Sequence, residues 1–128
     1  MIEPYWVTRE ECLALHDMML SLYGGIAGVR DEHLLDSALA RPRQRLAYGK
    51  PDRAELAAAY SAGIVKNHPF LDGNERTGFM LGAGFLERNG LAFHASETDA
   101  VLRTLALAAG EMDEAAYAAW LRANSKRV

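Results

Sequence analysis

Five short stretches of this chain each begin with a residue that often caps the start of a helix. Those residues are Thr8, Asp31, Asp52, Ser96 and Asp113. Two of them are followed three positions later by a glutamate, Glu11 and Glu55, which is the capping-box pattern. No stretch shows the clear alternation of apolar and polar residues that is typical of a half-buried strand. The sequence therefore predicts an all-α fold.

The stop signals between these stretches predict where the helices end. Pro42 is expected to close the second helix, which makes residues 43–51 an exposed loop. The third helix should end near Asn67, because Pro69 disfavours helical geometry in the residue before it. The predicted helices cover residues 9–23, from Asp31 to Pro42, from Asp52 to near Asn67, 74–88, 97–109 and 114–123.

The fourth predicted helix carries the most apolar segment of the chain. Residues 78–86 are apolar on nearly all sides and include three glycines. Glycine lowers helix propensity but allows a neighbouring helix to approach closely. We therefore expect this helix, which follows the polar loop at 68–73, to be buried at the centre of the fold.

The composition is typical of one globular domain over residues 1–128. Half of the residues are apolar, and the longest strongly apolar stretch, Phe79 to Leu86, is much shorter than the ~20 residues that cross a bilayer. The N-terminus lacks the pattern of a secretory signal, and the single Cys12 cannot form an internal disulfide. These features favour a cytoplasmic location without membrane contact.

The formal net charge of -3 argues against a general attraction to nucleic acid. One basic patch, formed by Arg41, Arg43 and Arg45, stands out from this background. Its simpler interpretation is a solvated helix end beyond which the chain leaves the core. A contact surface for phosphate or for an acidic partner is the alternative.

The residues with chemical potential lie between the third and fourth helices. Backbone N–H groups at a helix start carry partial positive charge, and Gly73 allows an anion to come close to them. Arg76, in the first turn of the helix, adds a fork of donors that suits phosphate. The segment therefore has the properties of an anion-binding cradle.

Two further residues of this loop complete a set that nucleotide chemistry requires. His68 could take a proton from a hydroxyl, and Asp72 could hold a magnesium ion that bridges phosphates. Each also has a simpler interpretation, since a loop histidine often only forms hydrogen bonds and a carboxylate near a helix start complements the dipole. Phe70 is expected to anchor the loop in the core, and His16, within the first helix, is expected to be structural or solvent-facing.

The loop resembles a known motif. Residues 68–76 read His-Pro-Phe-Leu-Asp-Gly-Asn-Glu-Arg, and the Fic motif reads His-Pro-Phe, two residues, Gly-Asn, one residue and Arg. In length and flanking sequence the chain is similar to the Doc toxins of toxin–antitoxin modules. The matches to Doc proteins occur in order over nearly the whole chain, at residues 13–17, 23–25, 68–77 and 86–90.

This resemblance implies a small helical toxin that uses ATP and magnesium. It implies that His68 is the general base and that Asp72 binds the metal. Doc toxins phosphorylate a threonine of elongation factor Tu and are neutralised by a disordered, Phd-like antitoxin, whereas most Fic proteins transfer AMP. AMP-transferring members usually have a second arginine where this chain has Phe79, which favours phosphate transfer. The turn implied to bind the phosphates consists of Gly73, Asn74, Glu75 and Arg76.

Glu75 departs from the family pattern, because Doc proteins usually have lysine there and other Fic proteins have glycine. A carboxylate facing nucleotide phosphates would repel them. Either Glu75 points elsewhere, or the protein is weakened, or the position was altered so that a toxic protein could be produced. Glu75 thus leaves open a catalytically inert Fic-fold protein that binds a partner or a nucleotide. The other alternative function is an AMP transferase that uses the same loop with the nucleotide turned the other way.

Overall fold

A computed structural model describes residues 3–128 and confirms the predicted all-α class. Six helices and two strands of three residues each form this part of the chain. Their helical bounds agree closely with the sequence prediction everywhere except at the end of the second helix. The elements are α1 (Arg9–Tyr23), α2 (Glu32–Ala47), α3 (Arg53–Asn67), α4 (Asn74–Arg88), β1 (Leu91–Phe93), α5 (Glu97–Ala109), α6 (Glu114–Ala123) and β2 (Ser125–Arg127).

All five predicted caps are present. The side chain of each accepts a hydrogen bond from a backbone N–H in the first turn of its helix. Thr8 with Glu11 and Asp52 with Glu55 form complete capping boxes, in which the glutamate accepts in return from the N-cap N–H. These local bonds satisfy N–H groups that lack partners within the helix and explain why the helix starts match the prediction.

The predicted end of α2 at Pro42 is wrong. The helix continues through this proline to Ala47, although proline lacks the N–H that would bond to the preceding turn. Packing accounts for the extension, because Leu46 contacts the core and Arg45 pairs with Glu114 at 2.7 Å and with Glu55 at 3.1 Å. Tertiary contacts of the last turn therefore outweigh the local breaking signal.

The basic patch is occupied by contacts within the chain. Arg41 pairs with Glu114, and Arg45 pairs with two glutamates as described above. The guanidinium of Arg43 lies 4.9 Å from the ring centre of Trp6. The three arginines therefore contact other parts of the fold, and Arg43 and Arg45 remain exposed to solvent, as expected for a solvated helix end.

The two strands were not predicted from the sequence. β1 and β2 pair antiparallel, with Leu91 opposite Arg127 and Phe93 opposite Ser125. Each strand has only three residues, which is too short for a period-two pattern to be visible. The pair joins the end of the chain to the segment after α4.

The centre of the bundle is shared by α3 and α4. An unbroken run of α3, from Leu56 to Val65, is buried, whereas α4 is buried along one side. The predicted role of glycine in close approach is confirmed: a Cβ at Gly78 would lie 2.6 Å from Val65 Cγ1, and one at Gly82 would clash with the side chain of Ser61. Gly84, in contrast, faces open space.

Two features near the start of α1 connect it to the rest of the protein. Cys12 is fully buried in the core, and this burial raises the pKa of its thiol to about 12. Glu11 pairs with Arg88 at the end of α4, and hydrogen bonds from this guanidinium and from the backbone of Thr8 lower the pKa of Glu11 to about 2. In residues 3–128, no helix combines the length and the apolar character needed to span a membrane.

Candidate functional site

The loop between α3 and α4 is anchored by stacked rings. Phe70 is buried, and its ring stacks on the imidazole of His16 with 3.8 Å between the ring centres and 8° between the planes. His16 Nε2 also lies 2.8 Å from the backbone oxygen of Asp72. Phe70 is therefore the core anchor that the sequence predicted, and the buried His16 connects the loop to α1 through its contacts with Phe70 and Asp72.

His68 forms the first turn of the loop. It caps the end of α3 in the left-handed region, with φ 51° and ψ 55°. Its side chain is about half exposed, and its Nε2 atom lies 3.5 Å from Oε1 of Glu75. Glu75 therefore points toward the histidine, whereas the sequence left open whether it faces nucleotide phosphates or points elsewhere.

Asn74 closes the loop from inside. Its Oδ1 accepts from the backbone N–H of Phe70 at 3.0 Å, and its Nδ2 donates to the carbonyl oxygen of Phe70 at 3.0 Å. These two bonds determine which end of the amide is oxygen. The same Nδ2 lies 3.3 Å from Nδ1 of His68, so Nδ1 is the acceptor and the neutral imidazole carries its hydrogen on Nε2.

The start of α4 differs from the other helix starts in residues 3–128. Its N-cap is Gly73, with φ 75°, and no side chain accepts a hydrogen bond from its first turn. The five other helices each have a side-chain cap. The first-turn N–H groups of α4 are consequently open to an anion.

Arg76 lies at this open helix start. It is exposed, and its guanidinium carbon lies 4.1 Å from the ring centre of Tyr23, at the end of α1. This cation–π contact holds the side chain on the side of the loop that faces solvent. Tyr23 belongs to the match with Doc proteins at residues 23–25, but no local pattern of the sequence connects it to Arg76, 53 positions away.

Asp72 is positioned by two backbone N–H groups. Its Oδ2 accepts from Ile26 at 3.1 Å, and its Oδ1 accepts from Gly73 at 2.9 Å. Each carboxylate oxygen keeps a second lone pair, and the side chain is exposed beside the open helix start. A hard oxygen ligand in this position fits a magnesium ion held between the protein and phosphates.

The structure brings the predicted site residues together. They lie in the loop between α3 and α4 or in the first turn of α4, with their side chains exposed or partly exposed: His68, Asp72, Glu75 and Arg76. Asn74 contributes to the site from a buried position, because its side chain forms hydrogen bonds with the backbone of the loop at Phe70.

The next turn of α4 has a different environment. Phe79 packs against Phe93 and Trp120, with ring centres 5.8 Å and 6.2 Å away. The position that is an arginine in AMP-transferring Fic proteins is therefore part of an aromatic cluster here.

Comparison with known proteins identifies the family. The model of the Fic/DOC family matches residues 6–86, which is more than half of the chain and includes the loop just described. The chain belongs to the Fic/Doc family.

Two relatives place this Fic/Doc protein beside named Doc proteins. The chain is 35% identical over 117 residues to the protein kinase doc of Escherichia phage P1, covering 91% of this chain and 92% of that protein. It is 37% identical over 93 residues to the toxin Doc of Mycolicibacterium smegmatis, covering 70% of this chain and 68% of that protein. The similarity to Doc proteins thus extends beyond the motif to most of the fold.

Proposed function

We propose that this protein is a Doc-type toxin that transfers the terminal phosphate of ATP to a hydroxyl group of a translation protein. The observation that carries the proposal is the placement of the exposed His68 beside the uncapped start of α4. A proton acceptor and an anion-binding helix start on one open loop are the parts that phosphoryl transfer to a protein hydroxyl requires. The names of the two relatives, a protein kinase and a toxin, support this assignment.

The proposed step uses the residues of the loop in defined roles. A target hydroxyl reaches Nε2 of His68. Nε2 takes the proton once the imidazole hydrogen has moved to Nδ1 through solvent and the contact between Nδ1 and Nδ2 of Asn74 has opened. The hydroxyl oxygen bonds to the terminal phosphorus, the bond to the ADP oxygen breaks, and ADP leaves. First-turn N–H groups of α4 and the guanidinium of Arg76 hold the phosphates in place. Magnesium held by Asp72 would neutralise part of the phosphate charge.

The environment of Phe79 supports phosphate transfer over AMP transfer. Its ring packs in an aromatic cluster, so this chain has no cation one turn beyond Arg76 to bind a second part of the nucleotide. The proposed target is elongation factor Tu, and the proposed regulator is a Phd-like antitoxin. Such a target places the protein in the cytoplasm.

Labelled ATP tests this proposal. Protein, magnesium and a bacterial lysate are incubated with ATP that carries label in either the terminal or the α-phosphate. We expect label from the terminal phosphate only, and we expect His68→Ala to abolish it without loss of fold, because the side chain is exposed. His94→Ala is the matched control, since His94 is also exposed and lies after β1.

Each alternative predicts a different result. Label from the α-phosphate identifies an AMP transferase, and the added mass of the target distinguishes the two products. If neither form of labelled ATP transfers label to a protein of the lysate, the result supports an inert binding protein. Full turnover by His68→Ala contradicts the assignment of the base.

A further inference from the structure

The segment from Gly28 to Asp31 runs antiparallel along the start of the motif loop. Val29 forms a β-bridge with Phe70, and Leu71 N–H donates to the carbonyl of Gly28 at 3.0 Å. The N–H groups of Arg30 and Asp31 both donate to the carbonyl of Pro69, at 2.7 Å and 3.1 Å. This segment therefore holds the backbone of the loop from outside.

The side chain of Arg30 extends the same contact to the end of α3. Its Nε donates to the carbonyl of His68 at 2.7 Å, and its Nη2 donates to the carbonyl of Asn67 at 2.9 Å. Carbonyls of the last helical turn have no partner within the helix, so a guanidinium fork is well suited to them. Residue 30, through its side chain and its backbone N–H, thus binds three successive carbonyls, those of Asn67, His68 and Pro69.

The residue in the middle of this contact needs such support. His68 is the one non-glycine residue with a positive φ in residues 3–128. Left-handed geometry is unfavourable for a residue with a Cβ, and it persists only where surrounding contacts impose it. Relaxation to extended backbone would change ψ from 55° by about 90° and turn the carbonyl of His68 away from Arg30.

We propose that Arg30 is a positioning residue for His68. By holding the carbonyls of Asn67 and His68, it keeps the backbone left-handed and directs the imidazole toward the start of α4. The inference rests on the proposed role of His68 as the base. Arg30 donates to residues that precede the anion cradle, so its loss should reduce turnover and leave ATP binding nearly unchanged.

A merely structural helix cap would give a different pattern. It would stabilise the end of α3 and, when removed, lower the stability of the protein without a selective effect on the reaction. Turnover, the KM for ATP and the backbone state of His68 must therefore be measured separately. The Cα and Cβ chemical shifts of His68 report its backbone conformation whether or not the protein is active.

The experiment compares Arg30→Ala and Arg30→Lys with Arg103→Ala. Arg103 is the matched control because it is an exposed arginine whose bond goes to Asp99 within α5. For Arg30→Ala we expect turnover with labelled ATP, magnesium and lysate to fall about tenfold to a hundredfold, because small displacements of a reacting group have effects of this size. The KM for ATP should change less than about threefold, and the shifts of His68 should move toward extended values. Arg30→Lys should restore little, because one ammonium group does not reproduce the planar fork.

The outcomes separate this inference from the proposed function. If His68→Ala is inactive and Arg30→Ala retains full turnover, the positioning role is wrong and the base assignment survives. If the wild-type protein transfers no label, or His68→Ala remains active, the proposed function fails. In that case the chemical shifts of His68 in Arg30→Ala decide the inference. If they equal those of the wild-type protein, the positioning role is also wrong; if they move toward extended values, Arg30 still fixes the backbone of His68.

Discussion

The Nε2 atom of His68 and the Oε1 atom of Glu75 lie 3.5 Å apart. The hydrogen of the neutral imidazole is on the same Nε2 atom, because Asn74 faces Nδ1. A carboxylate at this position stabilises the hydrogen on Nε2, whereas a base needs a free lone pair there. Glu75 thus opposes the proposed role of His68 and also adds negative charge beside the anion cradle.

We expect Glu75→Lys to raise turnover and toxicity. The change removes the carboxylate from Nε2 and reverses the charge near the phosphates. After allowance for solvent screening and side-chain freedom, the gain should be about tenfold to a hundredfold. Growth arrest on expression in bacteria and label transfer in lysate measure the effect.

The neutral variant Glu75→Gln should give an intermediate gain, because it removes the charge without adding a cation. Glu87→Lys is a suitable control, since Glu87 is exposed on the same helix toward its other end. Equal activity of the wild-type protein and Glu75→Lys would show that Glu75 does not weaken the site.

Nucleotide binding should require both Arg76 and magnesium. Loss of a charge-assisted contact in Arg76→Ala should weaken ATP affinity by about tenfold to a hundredfold in calorimetry. Asp72→Ala should reduce the magnesium dependence of binding, and Asp72→Asn, which keeps one acceptor oxygen for the loop N–H groups, should do so with less effect on the fold. Unchanged affinity in Arg76→Ala, with Arg103→Ala as control, would count against the phosphate cradle.

Two glycines of α4 should respond in opposite ways to the same substitution. A Cβ at Gly82 would lie 3.0 Å from the carbonyl oxygen of Ala57 and would clash with Ser61, so Gly82→Ala should lower the free energy of unfolding by about 1–3 kcal/mol. Gly84 faces open space within the helix, and Gly84→Ala should raise it by about 0.5–1 kcal/mol. Urea unfolding of the two variants provides the comparison. Similar stabilities would contradict the close approach of α3 and α4.

The pair of Glu11 and Arg88 should make stability depend on acid pH. Hydrogen bonds from Arg88 and from the backbone N–H of Thr8 lower the pKa of Glu11 from 4.5 to about 2, so the folded state binds a proton less readily than the unfolded state. The stabilisation is therefore complete above pH 4.5 and is lost as the pH falls toward 2. Because both side chains are more than a third exposed, it should be at most about 1 kcal/mol.

Urea unfolding in neutral and in acid buffer tests this expectation. Glu11→Gln should remove this part of the pH dependence, and Glu10→Gln, which leaves the pair in place, should not. A Glu11→Gln variant with the pH profile of the wild-type protein would refute the contribution of the pair.

Local signals predicted the fold best. The helix starts at Thr8, Asp31 and Asp52 agree with the structure because a capping side chain acts within three residues of its own position. Pro42 misled the prediction, because contacts with residues far along the chain keep α2 intact beyond it. β1 was missed for a similar reason, since its partner strand is more than 30 residues away.

The motif residues could be found from the sequence, but their supports could not. Tyr23, His16 and Arg30 reach the loop from positions that are 38 or more residues away along the chain. Each is an ordinary residue of its own segment, and only the folded chain brings it to the site. The direction of the Glu75 side chain could not be predicted either, because its neighbour, the His68 imidazole, is placed by a backbone turn that the sequence does not specify.

Cys12 gives this protein an intrinsic probe of unfolding. Its thiol is fully buried and carries a pKa of about 12, so almost none of it is thiolate at neutral pH. A thiol-specific reagent can therefore modify the chain only when α1 separates from the core. Because the chain has a single cysteine, the rate of modification reports how often this separation occurs, without any engineered label.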